Sequence, residues 1–134
     1  MMHARRLAGS LLALRLSVFL VMFMWTLDKF VNPEHATGVY EHFYGLRGLG
    51  GTLIRAIGVA ETALLAAFVA GLWKRWTYGA VLLFHAVSTL STFRQYLDPW
   101  EATNLLFFAA WPMLAACYAL YVLRDDDVLL TVKR

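Results

Sequence analysis

The chain has 134 residues, enough for one domain, with a formal net charge of +3. Sixty per cent of its residues are apolar and 16% are charged, against about 25% charged in soluble domains, which argues against a soluble globular fold. The basic residues flank apolar runs and form no stripe, which excludes nucleic-acid binding. The single cysteine, Cys117, excludes an internal disulfide, a cysteine metal cluster and CxxC chemistry.

Taken in order, the N-terminal residues are short, basic and partly apolar, and Arg5, Arg6 and Arg15 are expected along a membrane surface. A first span is predicted over residues 14–31. The apolar run leads to Trp25, Asp28 and Lys29 with no small-x-small cleavage site, so it reads as an uncleaved span. Asn32-Pro33 ends it, because a residue before proline avoids the helical region.

The segment 32–51 is too polar to span. Tyr40, Phe43 and Tyr44 fall at i, i+3, i+4, which predicts a short interfacial helix with its aromatic rings at headgroup level. Three more spans are predicted over 52–73, 76–96 and 102–123, each able to reach the ~20 residues a bilayer requires. Only Lys74-Arg75 separates the second and third, so these must be antiparallel neighbours. Pro99 separates the last two, and Pro112 is expected to kink the last.

The expected fold is therefore all-α: one integral membrane domain over 1–134, a four-helix transmembrane bundle with a short interfacial segment after helix 1. Arg5, Arg6, Arg15, Lys74, Arg75, Arg124, Lys133 and Arg134 lie on the side of the termini, against Lys29, Arg47, Arg55 and Arg94 on the other. The positive-inside rule then puts both termini in the cytoplasm and the 32–51 loop outside.

Two residues stand out. Glu61 is ten residues into the second span, about 15 Å at helical rise, and His85 is nine residues into the third. The antiparallel arrangement puts them at one level near the bilayer middle, where a charge costs on the order of 3 kcal/mol. Glu61 must be protonated, paired or facing a polar cavity. It serves either as a structural hydrogen bond or in proton handling or ligand binding. His85, Ser88, Thr89 and Thr92 recur at i, i+3, i+4, i+7 and share one helix face. That face is either interhelical glue or the wall of a pocket open outward. Arg55, Gly58 and Glu61 form a matching face, and Trp25, Asp28 and Lys29 lie at the outer level. Asp28 is expected to pair with Lys29, Arg55 or Arg94. His35 and His42, seven apart, are weak metal candidates because their spacing fits no ligand pattern, and neither haem nor metal is expected. No nucleotide-binding or hydrolase motif is present.

Three features resemble the DoxX-like family of small four-helix membrane proteins: RLSVFLVMFMWTLDKF, an Arg-led first span ending in Lys29-Phe30; AETALLAAFVAGLWKRWTYGA, where Glu61 opens a stretch ending in Gly71-Leu72 and a basic pair; and the four-span plan over about 15–123. Members usually carry glycines soon after the glutamate, and Ala63–Ala67 has none. The resemblance implies a bacterial inner membrane and an accessory or structural subunit of a quinone-linked oxidoreductase. Lys29 and Glu61 are the family-pattern positions, and quinone is the implied ligand. Other membrane subunits, or further copies of the chain, are the expected partners within the lipid bilayer. A small oligomeric carrier or proton-coupled permease, and a purely structural assembly subunit, are the alternative readings.

Overall fold

The computed structural model describes residues 2–45 and 50–132. Arg47, Lys133 and Arg134, which enter the charge comparison above, lie outside the described residues, as does the side chain of Tyr44. The regular structure among the described residues is all helical, without a strand.

Helix α1 runs Met2–Val31 as one element of 30 residues, about 45 Å long. It thus takes in residues 2–13, ahead of the expected start at 14. It closes where Asn32 N–H donates to Asp28 O at 2.8 Å, and Pro33 then opens α2, Pro33–Tyr44. Proline suits this first helical position, since its missing N–H would have had no partner there. Gly45, at φ 69°, terminates α2 by donating its N–H to Tyr40 O.

Helix α3 spans Gly51–Val69 and stops short of the expected Trp73. The cause is Gly71, at φ 68°. Its N–H turns back to Phe68 O at 3.0 Å, and Leu72 N–H reaches Ala67 O at 2.9 Å, which satisfies the last carbonyls of the helix.

The turn is therefore 70–73, and Lys74 and Arg75, expected to form it, instead open helix α4, Lys74–Ser91. It breaks at Thr92 (φ −97°, ψ 25°) before the short α5, Phe93–Leu97, so the expected continuous run to Tyr96 is divided. At the break the Tyr96 hydroxyl donates to Thr89 O at 2.9 Å, and Thr92 Oγ1 lies 2.9 Å from the same oxygen. Side chains thus satisfy a carbonyl that the next helical turn would otherwise take.

The last apolar stretch begins as a 3₁₀ turn, Asn104–Ala109, and becomes α6 over Ala110–Val122. Pro112 therefore lies in the first turn of α6, where its missing N–H costs no helical bond. The expected mid-span kink is replaced by this change of helix type.

The four longer helices close a cycle: α1 packs on α3, α3 on α4, α4 on α6 and α6 on α1. Helix α2 lies against α1 and α3. The core is small, built from Leu11, Val18, Leu65, Phe68, Tyr78, Val81, Cys117 and Leu120, with the Phe68 and Tyr78 rings 5.0 Å apart. Outside it, Leu20, Met24, Leu83, Val87, Leu90, Leu106 and Tyr118 are exposed along the helices. A soluble protein rarely leaves so much contiguous apolar surface uncovered. Three helical stretches, Met2–Val31, Thr52–Val69 and Asn104–Val122, are long and apolar enough to cross a membrane. Helix α4 is not one of them, because its 18 residues include Lys74, Arg75 and His85.

One end of the cycle is closed by the chain's own tail. Arg15 is not on a surface: its side chain is fully buried and its guanidinium meets Asp127 Oδ1 at 2.6 Å. It also donates to the carbonyls of Leu129 and Leu130 at 2.6 and 3.1 Å. The second carboxylate oxygen of Asp127 accepts from the Tyr78 hydroxyl at 2.5 Å. Lys74 Nζ donates to Arg124 O at 3.1 Å and to Asp127 O, and Val132 N–H reaches Ala70 O at 2.7 Å. The first helix, the 70–73 turn with Lys74 at the start of α4, and the tail thus converge on one end of the cycle. An arginine in an apolar helix demands a counter-charge, and the tail supplies it.

Candidate functional site

Two adjoining cavities lie beyond the tail closure, and no residue of the tail lines either of them. The first, about 690 Å³, lies between α1, α4 and the last helical stretch, and is mainly apolar, with Val18, Val21, Leu106 and Met113 in its wall. The second, about 620 Å³, lies between α1, α2, α3 and α4. Both fall in the range of small-molecule pockets, ~300–1,000 Å³. They share one wall: Trp25, His85, Ser88, Thr92 and Phe107 line both.

Glu61 and His85 both line the second cavity, but they belong to different polar sets. Glu61 is paired. Its Oε2 lies 3.0 Å from Lys29 Nζ and accepts from the Thr26 hydroxyl at 3.0 Å. Lys29 is nearly buried, and its ammonium sits 5.8 Å from the centroid of the Tyr40 ring on α2. Helical spacing explains the set: Thr26 and Lys29 are three apart and project from one face of α1 towards α3. An ion pair in this setting balances a large desolvation cost against its attraction, and the third contact from Thr26 helps to satisfy the carboxylate. Because a glutamate on α3 finds its cation on α1, the pair also ties those helices together.

His85 is 1% exposed and its Nε2 lies 3.0 Å from Ala110 O. A carbonyl can only accept, so Nε2 carries the proton and Nδ1 is left as an acceptor. Nδ1 is buried and has no partner among the described residues. The Trp25 ring stacks on the imidazole with centroids 6.1 Å apart. The bond to Ala110 fixes His85 against the start of α6, where the 3₁₀ turn gives way to α-helix.

The polar stripe on α4 is divided in use. Thr89 donates to His85 O at 2.7 Å, and Thr92 is engaged with Thr89 O and the Tyr96 hydroxyl. These two serve the backbone of their own helix while lining the first cavity. Ser88 lines both cavities and makes no hydrogen bond to a described residue.

Other sequence candidates lie elsewhere. Arg55 is exposed, and neither it nor Gly58 lines either cavity, so the expected face of Arg55, Gly58 and Glu61 does not form a cavity wall. The cavity side of α3 is instead formed by Glu61, Leu64 and Leu65. Gly58 faces Phe30: a Cβ there would meet the ring tip at 2.9 Å. Asp28 pairs with none of Lys29, Arg55 or Arg94. Its Oδ2 lies 2.5 Å from Nδ1 of His35, at the rim of the second cavity. His42 is exposed and contacts Phe43 edge-on at 4.6 Å. No group of three or more His, Cys, Asp or Glu side chains among the described residues could hold a metal ion.

Sequence reasoning missed Thr26, Phe107 and Met113, and it missed α2 as a wall of the second cavity through Ala36, Val39, Tyr40 and Phe43. Thr26 carried a signal, since it lies three residues before Lys29. The aromatic spacing of α2 also predicted a helix, but nothing in it showed which helices that face would cover. Comparison with known proteins finds no matching family model, no matching curated protein and no matching solved structure.

Proposed function

We propose that this chain is a four-span subunit of a bacterial inner membrane, accessory to a quinone-linked redox complex, whose paired cavities hold a ring-bearing hydrophobic ligand. The observation that carries this reading is the shared wall of Trp25, His85 and Ser88 between one apolar cavity and one cavity holding the Lys29–Glu61 pair. A hydrophobic ring needs an apolar slot with a few placed polar groups. Here the indole of Trp25 offers the ring a flat surface, and Glu61, Lys29 and His85 supply the polar contacts. The resemblance to DoxX-like proteins gives the redox context and makes Lys29 and Glu61 the positions to test.

On this reading α4 is the fourth span, tolerated despite Lys74 and Arg75 because both lie at its cytoplasmic end. Both termini face the cytoplasm, and α2 lies on the outer membrane surface as a cover for the second cavity.

The test is purification in gentle detergent from the native membrane, with bound proteins, quinone and visible absorption measured together. Stoichiometric redox subunits or bound quinone are expected. Glu61→Gln and His85→Ala should then lower partner activity or quinone retention, and the reading is lost if both variants leave activity and assembly intact. A carrier is favoured by one observation, two cavities meeting at a single partition. A colourless homo-oligomer with nothing bound, together with flux in proteoliposomes, would transfer the assignment to it.

A further inference from the structure

His85 and Ser88 both lie on the wall the two cavities share, and each carries a hydrogen-bonding atom that no described residue engages. The imidazole is held in one tautomer by Ala110 O, so its free nitrogen can only accept. That nitrogen is buried without a partner among the described residues. Three residues on, the Ser88 hydroxyl is also unengaged by them. The neighbouring hydroxyls cannot help His85: Thr89 donates to the backbone, Thr92 is engaged with Thr89 O and Tyr96, and Thr26 donates to Glu61. The site therefore lacks one donor for Nδ1, and has one hydroxyl free to donate on the same helix face three residues on.

We infer that the pocket is selective for a ligand hydroxyl: an aromatic amphiphile whose ring O–H donates to His85 Nδ1 while its oxygen accepts from Ser88. The ring would pack against Trp25 and its apolar tail would follow the first cavity. Nδ1 is buried, so the ligand reaches it only if the Trp25 indole, stacked on the imidazole and 48% exposed, moves aside. The inference rests on the pocket reading above and sharpens it. A hydroquinone or phenol carries the required donor. A quinone carbonyl does not, and would leave Nδ1 unpaired in its complex. A site with a buried polar group left unpaired discriminates strongly against the analogue that cannot reach it.

The experiment is calorimetric titration of the purified full chain in nanodiscs, without oxygen, with four probes: a decyl-substituted benzohydroquinone, its benzoquinone, decylphenol and the methyl ether of decylphenol. The last two isolate hydrogen-bond donation from redox state. Hydroquinone and phenol are expected to bind about tenfold or more tightly than quinone and ether respectively. His85→Phe should erase both gaps, and Ser88→Ala should weaken all four probes, since each has an oxygen able to accept. Equal affinities within each pair, a gap that survives His85→Phe, or no effect of Ser88→Ala overturns the inference while leaving a pocket in place. Binding of none of the four overturns the pocket reading as well.

Discussion

Arg15 has no exposed surface, and the carboxylate that balances it is 112 positions away in the tail. Replacing one partner of such a pair leaves the other charge buried and uncompensated, at a cost of about 3–5 kcal/mol. Arg15→Met and Asp127→Asn should each lower the thermal unfolding midpoint in detergent. Arg15→Met combined with Asp127→Leu should recover most of the loss, because no charge is then stranded. A single variant as stable as the parent would show that the pair is dispensable. Lys29 and Glu61 form a more open pair beside a cavity, with the Glu61 side chain 26% exposed. Its coupling should be weaker, since a carboxylate facing a cavity keeps part of its solvation.

At the scale of elements, two glycines separate turn geometry from helix packing. Gly71 combines φ 68° with a Cβ position 2.5 Å from Thr131 Cγ2 and 2.7 Å from its Cβ. Gly71→Ala must strain the turn between α3 and α4 and push the tail away, and should cost roughly 1–3 kcal/mol. Gly58 is ordinary helix, and the ring of Phe30 that faces it is partly exposed and ends a flexible side chain. Gly58→Ala should therefore change stability by less than about 1 kcal/mol, since the helical preference of alanine offsets the contact. Thermal unfolding of the two variants side by side checks the contrast, and the argument fails if Gly58→Ala is the more damaging. The tail itself acts as an element of the fold. Its contacts with Arg15, Lys74 and Ala70 hold three segments together without a regular helix.

For the whole molecule, the testable matter is orientation. The tail, the 70–74 segment and Arg15 converge on one side, while α2 and the Asp28–His35 pair belong to the other. With Cys117 replaced by Ala, single cysteines at Asp125 and at Glu34 should react with a membrane-impermeant maleimide from opposite faces: Asp125→Cys only after the membrane is opened, Glu34→Cys in intact cells. Labelling of both from the same face would refute the four-span arrangement, leaving the three strongly apolar stretches as the spans.

The amino-acid sequence by itself determined the helical class, the approximate apolar stretches, the break at Asn32-Pro33, and the choice of Glu61 and His85 as the residues to explain; the turn expected at Lys74-Arg75 lies just ahead of that basic pair, at 70–73. These follow from local physics: runs of apolar side chains, proline and glycine geometry, and the cost of a polar group in such a run. Periodicity also put Ser88, Thr89 and Thr92 on one face with His85. Only the tertiary structure decided the partners. Lys29 pairs with Glu61, Asp127 takes Arg15, and His35 takes Asp28. It also decided that Arg55 stays outside the cavities and that α2 walls one of them. Pairing depends on which helix faces meet and on how deep a long side chain reaches. Those are set by the packing of four helices against one another, and no single stretch of the chain contains that information.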